Sequence, residues 1–136
     1  VGLPPMYLLA KRLIEAGRKV SVAAGFASKS GVFYEEQFKR LGAGVYIATA
    51  DGSYGVRGLV TDAMAQCPDF DSVCACGPEA MLRAVYDFAD VPGQFSFEER
   101  MGCGFGACMG CSCETKYGSK RICRDGPVLF REEIIW

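Results

Sequence analysis

The sequence predicts an α/β protein, a parallel sheet flanked by helices, with a small cysteine-rich module at the C-terminal end. Three observations carry that reading. Short β-rich runs alternate with segments of helical period over residues 1–93. Gly25, Gly52, Gly55 and Gly77 each follow a candidate strand directly or within a few residues, at the carboxyl ends where such sheets collect ligands. Beyond Pro92-Gly93 the pattern changes, and Cys103, Cys108, Cys111, Cys113 and Cys123 crowd together. The boundary therefore falls near residue 93, giving an α/β domain over 1–93 and an appended module over 94–136.

The elements follow in order. Pro4 and Pro5 suit the first turn of a helix, where a missing N–H leaves nothing unpaired, and Met6, Leu9, Ala10 and Leu13 continue it to a C-cap at Gly17. With Gly2 directly at that helix start, the chain reads as if cut just after a strand that would feed it. A strand is predicted over 19–24 and a helix over 32–41 carrying Phe33, Phe38 and Leu41, with Tyr34 joining them as core aromatics. A strand over 44–49, a short helix over 58–66 and a strand over 72–76 come next. Pro78 opens a helix through Ala80, Met81, Ala84, Val85 and Phe88, and 94–97 alternates like a strand.

Composition excludes several functions. The 136 residues hold 15 Lys+Arg against 16 Asp+Glu, so no basic field exists for nucleic acid. The apolar stretches are far shorter than the ~20 residues of a membrane helix. No histidine is present, which removes His-dependent nucleophile activation, His-ligated zinc or haem, and Rieske-type clusters. Eight cysteines suggest disulfides only if they are spread along a secreted chain. Their clustering, and the lack of a secretory opening, favour reduced thiols in the cytoplasm with the dense group on a metal.

Cys103, Cys108, Cys111 and Cys123 are spaced C-x4-C-x2-C-x11-C, and the first three match the plant-type [2Fe–2S] pattern. Four thiolates in one pocket require inward-facing backbone N–H groups, which the flanking Gly102, Gly104, Gly106 and Gly110 permit. A structural zinc site also takes four cysteines, but pairs two short knuckles more often than it leaves one ligand alone. Cys113 is a fifth candidate, and alternation beyond Cys111 turns it to the opposite face as a buried bystander. Cys76 by itself reads as a small apolar residue at a strand end. Lys116, Lys120, Arg121 and Arg124 read as solvated surface, because residues 97–136 carry six basic and six acidic side chains.

The loops 25–29, 51–58 and 76–79 are each weak signals, and G-x-G-x-x-G is absent. Together they are expected to line one edge of the sheet. The segments Gly2-Leu3-Pro4-Pro5, Asp51-Gly52-Ser53-Tyr54-Gly55 with Gly58, Val60 and Thr61, and Cys76-Gly77-Pro78 with Met81 resemble the pyridine-nucleotide domain of ferredoxin–NADP reductase-like flavoproteins. The cysteine segment, ending Cys123-Arg124-Asp125-Gly126-Pro127-Val128, resembles one branch, the electron transfer subunits of NAD-dependent dihydroorotate dehydrogenase.

That resemblance implies a Rossmann-like domain of the ferredoxin reductase NAD-binding type. It implies a cluster held by Cys103, Cys108, Cys111 and Cys123. It also implies NAD(H) contacts by Gly52, Ser53 and Gly55 along the nucleotide, Cys76, Gly77 and Pro78 near the nicotinamide, and Gly25 and Ser28 at the adenosine ribose; Gly2, Pro4 and Asp51 complete the set. The implied partner is an FMN-containing catalytic subunit that oxidises dihydroorotate, in a heterotetramer, with electrons passing through the cluster to FAD and NAD+ for pyrimidine biosynthesis. Family members carry most of their FAD on an N-terminal β-barrel that these residues do not contain, so FAD is implied for a longer protein and hydride transfer by this chain alone is not expected. Lys29 beside Ser28 and Ser30 suits a 2′-phosphate as readily as a free ribose, leaving NAD against NADP open. Two other readings stand beside it: a subunit of an NADH-dependent ferredoxin:NADP oxidoreductase or sulfide dehydrogenase, and a non-catalytic zinc-binding interaction module.

Overall fold

A computed structural model describes residues 2–136. It divides into two compact units, one reaching to Phe70 and one spanning Asp71–Trp136. Helices and strands alternate as expected, but the strands form separate sheets.

In the first unit, α1 (Leu3–Glu15) starts with Pro4 and Pro5 in its first turn and stops where Gly17 takes φ +78°. There the Gly17 N–H donates to Ile14 O and the Arg18 N–H to Leu13 O, both at 2.9 Å, closing the helix end. Strands β1 (Ser21–Phe26) and β2 (Gly44–Thr49) pair in parallel from Ser21↔Gly44 to Phe26↔Thr49, and the short β3 (Val56–Arg57) adds to β2. β1 begins two residues later than the sequence suggests. Side-chain alternation splits the sheet's faces. Val22 and Val45 pack with Leu3, Met6, Tyr7, Ala10 and Ile14 of α1 and with Phe38 of α2 (Glu35–Arg40). On the opposite face Gly25 lies beneath α3 (Val60–Met64), where an added Cβ would sit 3.2 Å from the Val60 nitrogen. The expected helix from residue 32 begins only at Glu35, because Tyr34 adopts φ +67°. That left-handed turn lets the Tyr34 ring meet Tyr7 and Phe33, both at 5.5 Å. Of the three aromatics expected in the core, Phe38 is buried and Tyr34 packs against it, while Phe33 stays 43% exposed at the turn.

In the second unit, β4 (Val73–Cys76) and β5 (Gly93–Ser96) pair in parallel, while β8 (Val128–Phe130) takes the other edge of β5 antiparallel. α4 (Glu79–Phe88) buries Leu82 and Val85, which share the unit's apolar interior with Phe95, Leu129 and Ile134. Strands β6 (Ser112–Thr115) and β7 (Gly118–Arg121) form a hairpin, followed by one helical turn, α5 (Ile122–Asp125). One sequence expectation changes here. Among the described residues the sheets are β1-β2-β3, β4-β5-β8 and the β6-β7 hairpin, not one continuous sheet: β2 pairs with β1 and β3, and β4 with β5. The second compact unit holds both the Val73↔Gly93 strand pair and the pairing of β5 with β8. Among the described residues no helix is long and apolar enough to cross a membrane.

Glu133 ties the hairpin to the end of the chain. Its carboxylate, 7% exposed, accepts from Lys120 Nζ at 2.5 Å and from the Phe130 N–H at 2.7 Å. Lys120, read from sequence as solvated, is therefore an anchored partner. The Lys120 ammonium, with the Phe130 N–H, outweighs desolvation and holds the Glu133 carboxyl below its ordinary value near 4.5. A depressed folded pKa means the stabilisation is fully present above about 4.5 and is lost as pH falls through the lowered value. Urea midpoints measured from about pH 6 down to about pH 3 should fall more steeply in the wild type than in Glu133→Gln, which forfeits about 1–2 kcal/mol at the upper end. Parallel curves would remove Glu133 as an acid-sensitive anchor.

Candidate metal centre

The loop from β5 to β6 carries Cys103 and Cys108 and turns through Gly104 (φ +73°), Gly106 (φ +92°) and Met109 (φ +60°). Cys111 closes it, buried to 2% exposure immediately before β6. Cys123 comes from α5, which is fixed to Cys111 twice: the Ile122 N–H donates to Cys111 O at 3.1 Å and the Cys123 N–H to Cys111 Sγ at 3.4 Å.

The loop N–H groups turn towards sulfur. Those of Ala107 and Cys108 donate to Cys103 Sγ at 3.3 and 3.5 Å, and that of Gly110 donates to Cys108 Sγ at 3.4 Å. The Cys108 N–H and its neighbours lower the Cys103 thiol to about 6, so this sulfur is a ready thiolate at neutral pH. The Cys123 thiol is raised, first by sharing a hydrogen bond with Cys111, although the Gly106 N–H acts the other way. The thiols associate as Cys103 with Cys108 and Cys111 with Cys123. Among the described residues no group of three or more potential ligands converges on one point. The donor set nonetheless fits a thiolate-bound cluster: soft sulfur ligands, no competing histidine, and N–H groups aimed at the charge the ligands would carry.

Cys113 stands apart. It lies in β6 opposite Lys120 and lines a hollow of about 270 Å³ with Phe97, Leu129, Ile134 and Trp136, and burial pushes its thiol up. Burial likewise raises Cys67 and Cys74. Sequence reasoning missed Arg121. Rather than spreading into solvent, it is 25% exposed; Nη1 donates to Gly106 O at 3.0 Å and Nε to Asp125 Oδ2 at 3.3 Å. The only sequence signal was the i,i+4 spacing of Arg121 and Asp125.

The glycine loops divide between the units. In the first, the register Phe26↔Thr49 brings the loops after β1 and β2 out at the same sheet end. They are joined where the Lys29 N–H donates to Ser53 Oγ at 2.8 Å, while Asp51 Oδ1 accepts from Ser53 Oγ at 2.6 Å and Ser53 N–H at 2.9 Å. Ser28 shares a 2.8 Å hydrogen bond with Ser30. Lys29 Nζ lies 5.5 Å from the Tyr54 ring centre, and the Tyr54 hydroxyl donates to Glu35 at 3.0 Å. Gly2 caps α1, with Pro4 in the first turn. Gly52 and Gly55 take φ +74° and +65°. In the second unit Cys76 ends β4 and Pro78 precedes α4; between them, a Cβ on Gly77 would lie 2.6 Å from Met81 Cε.

Comparison with known proteins defines the class first. Residues 98–135 match the iron–sulfur cluster binding domain of dihydroorotate dehydrogenase B, the stretch that holds all four spaced cysteines. A solved structure of an NADH-dependent reduced ferredoxin–NADP oxidoreductase superposes with TM-score 0.85 at 32% identity, covering 100% of this chain and 51% of that one. The chain is thus an α/β protein whose residues 98–135 match an iron–sulfur cluster binding domain. More particularly, it is a relative of the electron transfer subunits of dihydroorotate dehydrogenase B (NAD(+)): it is 48% identical to that of Shouchella clausii and 47% identical to that of Bacillus caldolyticus, each over 99% of this chain and 54% of the relative. The chain spans about half the length of the curated relatives it matches.

Proposed function

We propose that the chain is the cluster- and pyridine-nucleotide-bearing part of a dihydroorotate dehydrogenase electron transfer subunit. The observation that carries this is the C-x4-C-x2-C-x11-C set inside residues 98–135, with loop N–H groups turned onto Cys103 and Cys108. Cys103, Cys108, Cys111 and Cys123 hold a [2Fe–2S] cluster, which when bound supplies one-electron transfer. The remaining residues shape its surroundings: Gly104 and Gly106 bend the loop, and its N–H groups offset the ligands' negative charge.

The α/β part, residues 1–93, is assigned a Rossmann-like role in holding NAD(H), and 94–136 the cluster. Gly2, Pro4, Gly25, Ser28, Asp51, Gly52, Ser53, Gly55, Cys76, Gly77 and Pro78 are the residues assigned to the nucleotide. FAD is assigned to the part of the relatives' length that this chain does not span. The partner is an FMN-containing dihydroorotate dehydrogenase subunit, in a cytoplasmic heterotetramer serving pyrimidine biosynthesis. A second reading, a subunit of an NADH-dependent ferredoxin–NADP oxidoreductase, is favoured by the structural match at 32% identity; the 48% identity to dihydroorotate dehydrogenase subunits places it second.

Anaerobically purified chain should be reddish-brown with about two irons and two sulfides. A colourless protein with one zinc would refute the cluster. The longer protein bearing this chain, combined with an FMN-containing dihydroorotate dehydrogenase subunit, should reduce NAD+ with dihydroorotate. Activity only with ferredoxin would select the second reading, and this chain alone should give no such turnover.

A further inference from the structure

We propose that Arg121 is a positioning residue for the cluster: its guanidinium clamps the Cys103–Cys108 loop to the turn that carries Cys123 and holds a positive charge on the main chain of that loop. The inference rests on the cluster assignment above and adds a role for a side chain that supplies no ligand.

Three contacts argue for the clamp. Arg121 Nη1 donates to Gly106 O at 3.0 Å, inside the loop between Cys103 and Cys108. Its Nε and its backbone N–H both reach Asp125 Oδ2, at 3.3 and 2.8 Å, so the carboxylate closes α5 around Cys123. Gly106 fits only without a side chain: it takes φ +92°, and a Cβ there would lie 2.9 Å from Arg124 Cδ and 3.5 Å from Arg121 Nη1. The clamp therefore joins two segments 15 residues apart in sequence, one with the first two cysteines and the other with the last. An arginine suits this task because one planar fork serves two acceptors in fixed directions, which a lysine ammonium on a flexible stem does not. A guanidinium only 25% exposed also keeps much of its field, since water screens it less than at the surface. Asp125 at 3.3 Å offsets part of this charge, and what remains near a centre that gains negative charge on reduction favours the reduced form, so Arg121 raises the potential at which the cluster accepts an electron.

The test uses the anaerobically purified full chain and two variants, Arg121→Gln and Arg121→Lys, with far-UV circular dichroism to check that each is folded. Iron loss to an iron(II) chelator and the cluster midpoint potential, followed by visible spectrum, are the readouts. Arg121→Gln should lose iron about tenfold faster than wild type, as for other outer-shell partners of metal ligands, and its midpoint should move to lower potential. Arg121→Lys should lose iron faster too, while its potential stays near wild type because the charge remains. Unchanged iron loss in both variants overturns the proposal. So does faster loss with an unchanged potential in Arg121→Gln, which would mark a structural prop without electrostatic effect. A wild-type chain that takes up no [2Fe–2S] cluster defeats the cluster assignment itself, an outcome distinct from both.

Discussion

Cys123→Ser should abolish the cluster, leaving less than about a tenth of wild-type iron after anaerobic purification, whereas Cys113→Ser should keep both iron and visible spectrum. The two cysteines are ten residues apart on either side of one hairpin, and geometry separates them. Cys123 is pinned to Cys111 through the backbone of its own turn, with Ile122 N–H on Cys111 O and Cys123 N–H on Cys111 Sγ. Its sulfur thus starts beside the one ligand that is fully buried. Serine keeps the turn but offers a hydroxyl that stays protonated where a thiol would ionise, so the fourth ligand is lost without disturbing the fold. Cys113 sits across from Lys120 and faces the hollow that Leu129, Ile134 and Trp136 line together with Glu79, Glu99 and Glu114. Serine there loses a little apolar burial and gains a hydroxyl to satisfy, a cost of about 1–2 kcal/mol in stability that leaves the cluster intact. The opposite pattern, iron retained in Cys123→Ser and lost in Cys113→Ser, would make Cys113 the fourth ligand.

The cysteine pattern was legible because three of the ligands come from one short loop, so their spacing is nearly their geometry. Strand pairing was not, since alternation tells how many strands exist but not which edges meet. Residues 72–76 and 44–49 read as equivalent strands, and only the folded chain shows β4 joined to β5 and β2 to β1 and β3. Pro92-Gly93 reads as a change of pattern, yet Gly93 is glycine because a Cβ would lie 2.6 Å from Val73 Cγ1 in the neighbouring strand. The β6–β7 hairpin escaped notice because 112–121 is polar on both faces, and its order comes from distant partners such as the Lys120–Glu133 ion pair. The same distance hid Arg121: a charge pattern read along the sequence cannot reveal that its acceptor is the carbonyl of Gly106. Nearby signals, such as Pro4 and Pro5 opening α1 and Gly17 closing it, were read correctly because cause and effect lie within one turn.

Gly55→Ala should destabilise the first unit by about 3 kcal/mol or more, even with no nucleotide present. Sequence reasoning gave Gly55 to the dinucleotide, and glycine in such a loop can serve either close approach of a ligand or the backbone itself. The structure supplies a backbone reason. Gly55 takes φ +65°, and an added Cβ would stand 2.1 Å from the Ile47 carbonyl oxygen and 2.9 Å from its carbon, inside a central strand that cannot yield. The left-handed conformation costs a non-glycine residue about 1–2 kcal/mol, and relieving such an overlap about 1–3 kcal/mol more. The loop cannot easily swing away, because fully buried Thr49 holds it: Thr49 Oγ1 donates to Tyr54 O at 2.7 Å and accepts from the Tyr54 N–H at 3.1 Å. Gly42→Ala is the control. Gly42 also has a positive φ, +90°, but nothing lies within 4 Å of its added Cβ, so that variant should show the conformational cost alone, about 1–2 kcal/mol. Urea denaturation of both variants against wild type measures the difference. Equal losses would mean that the strand gives way at Ile47, and would return Gly55 to a role in admitting the nucleotide. A clearly larger loss in Gly55→Ala makes this glycine a requirement of the fold, and any weaker binding of NADH by that variant a consequence of the displaced 51–55 loop.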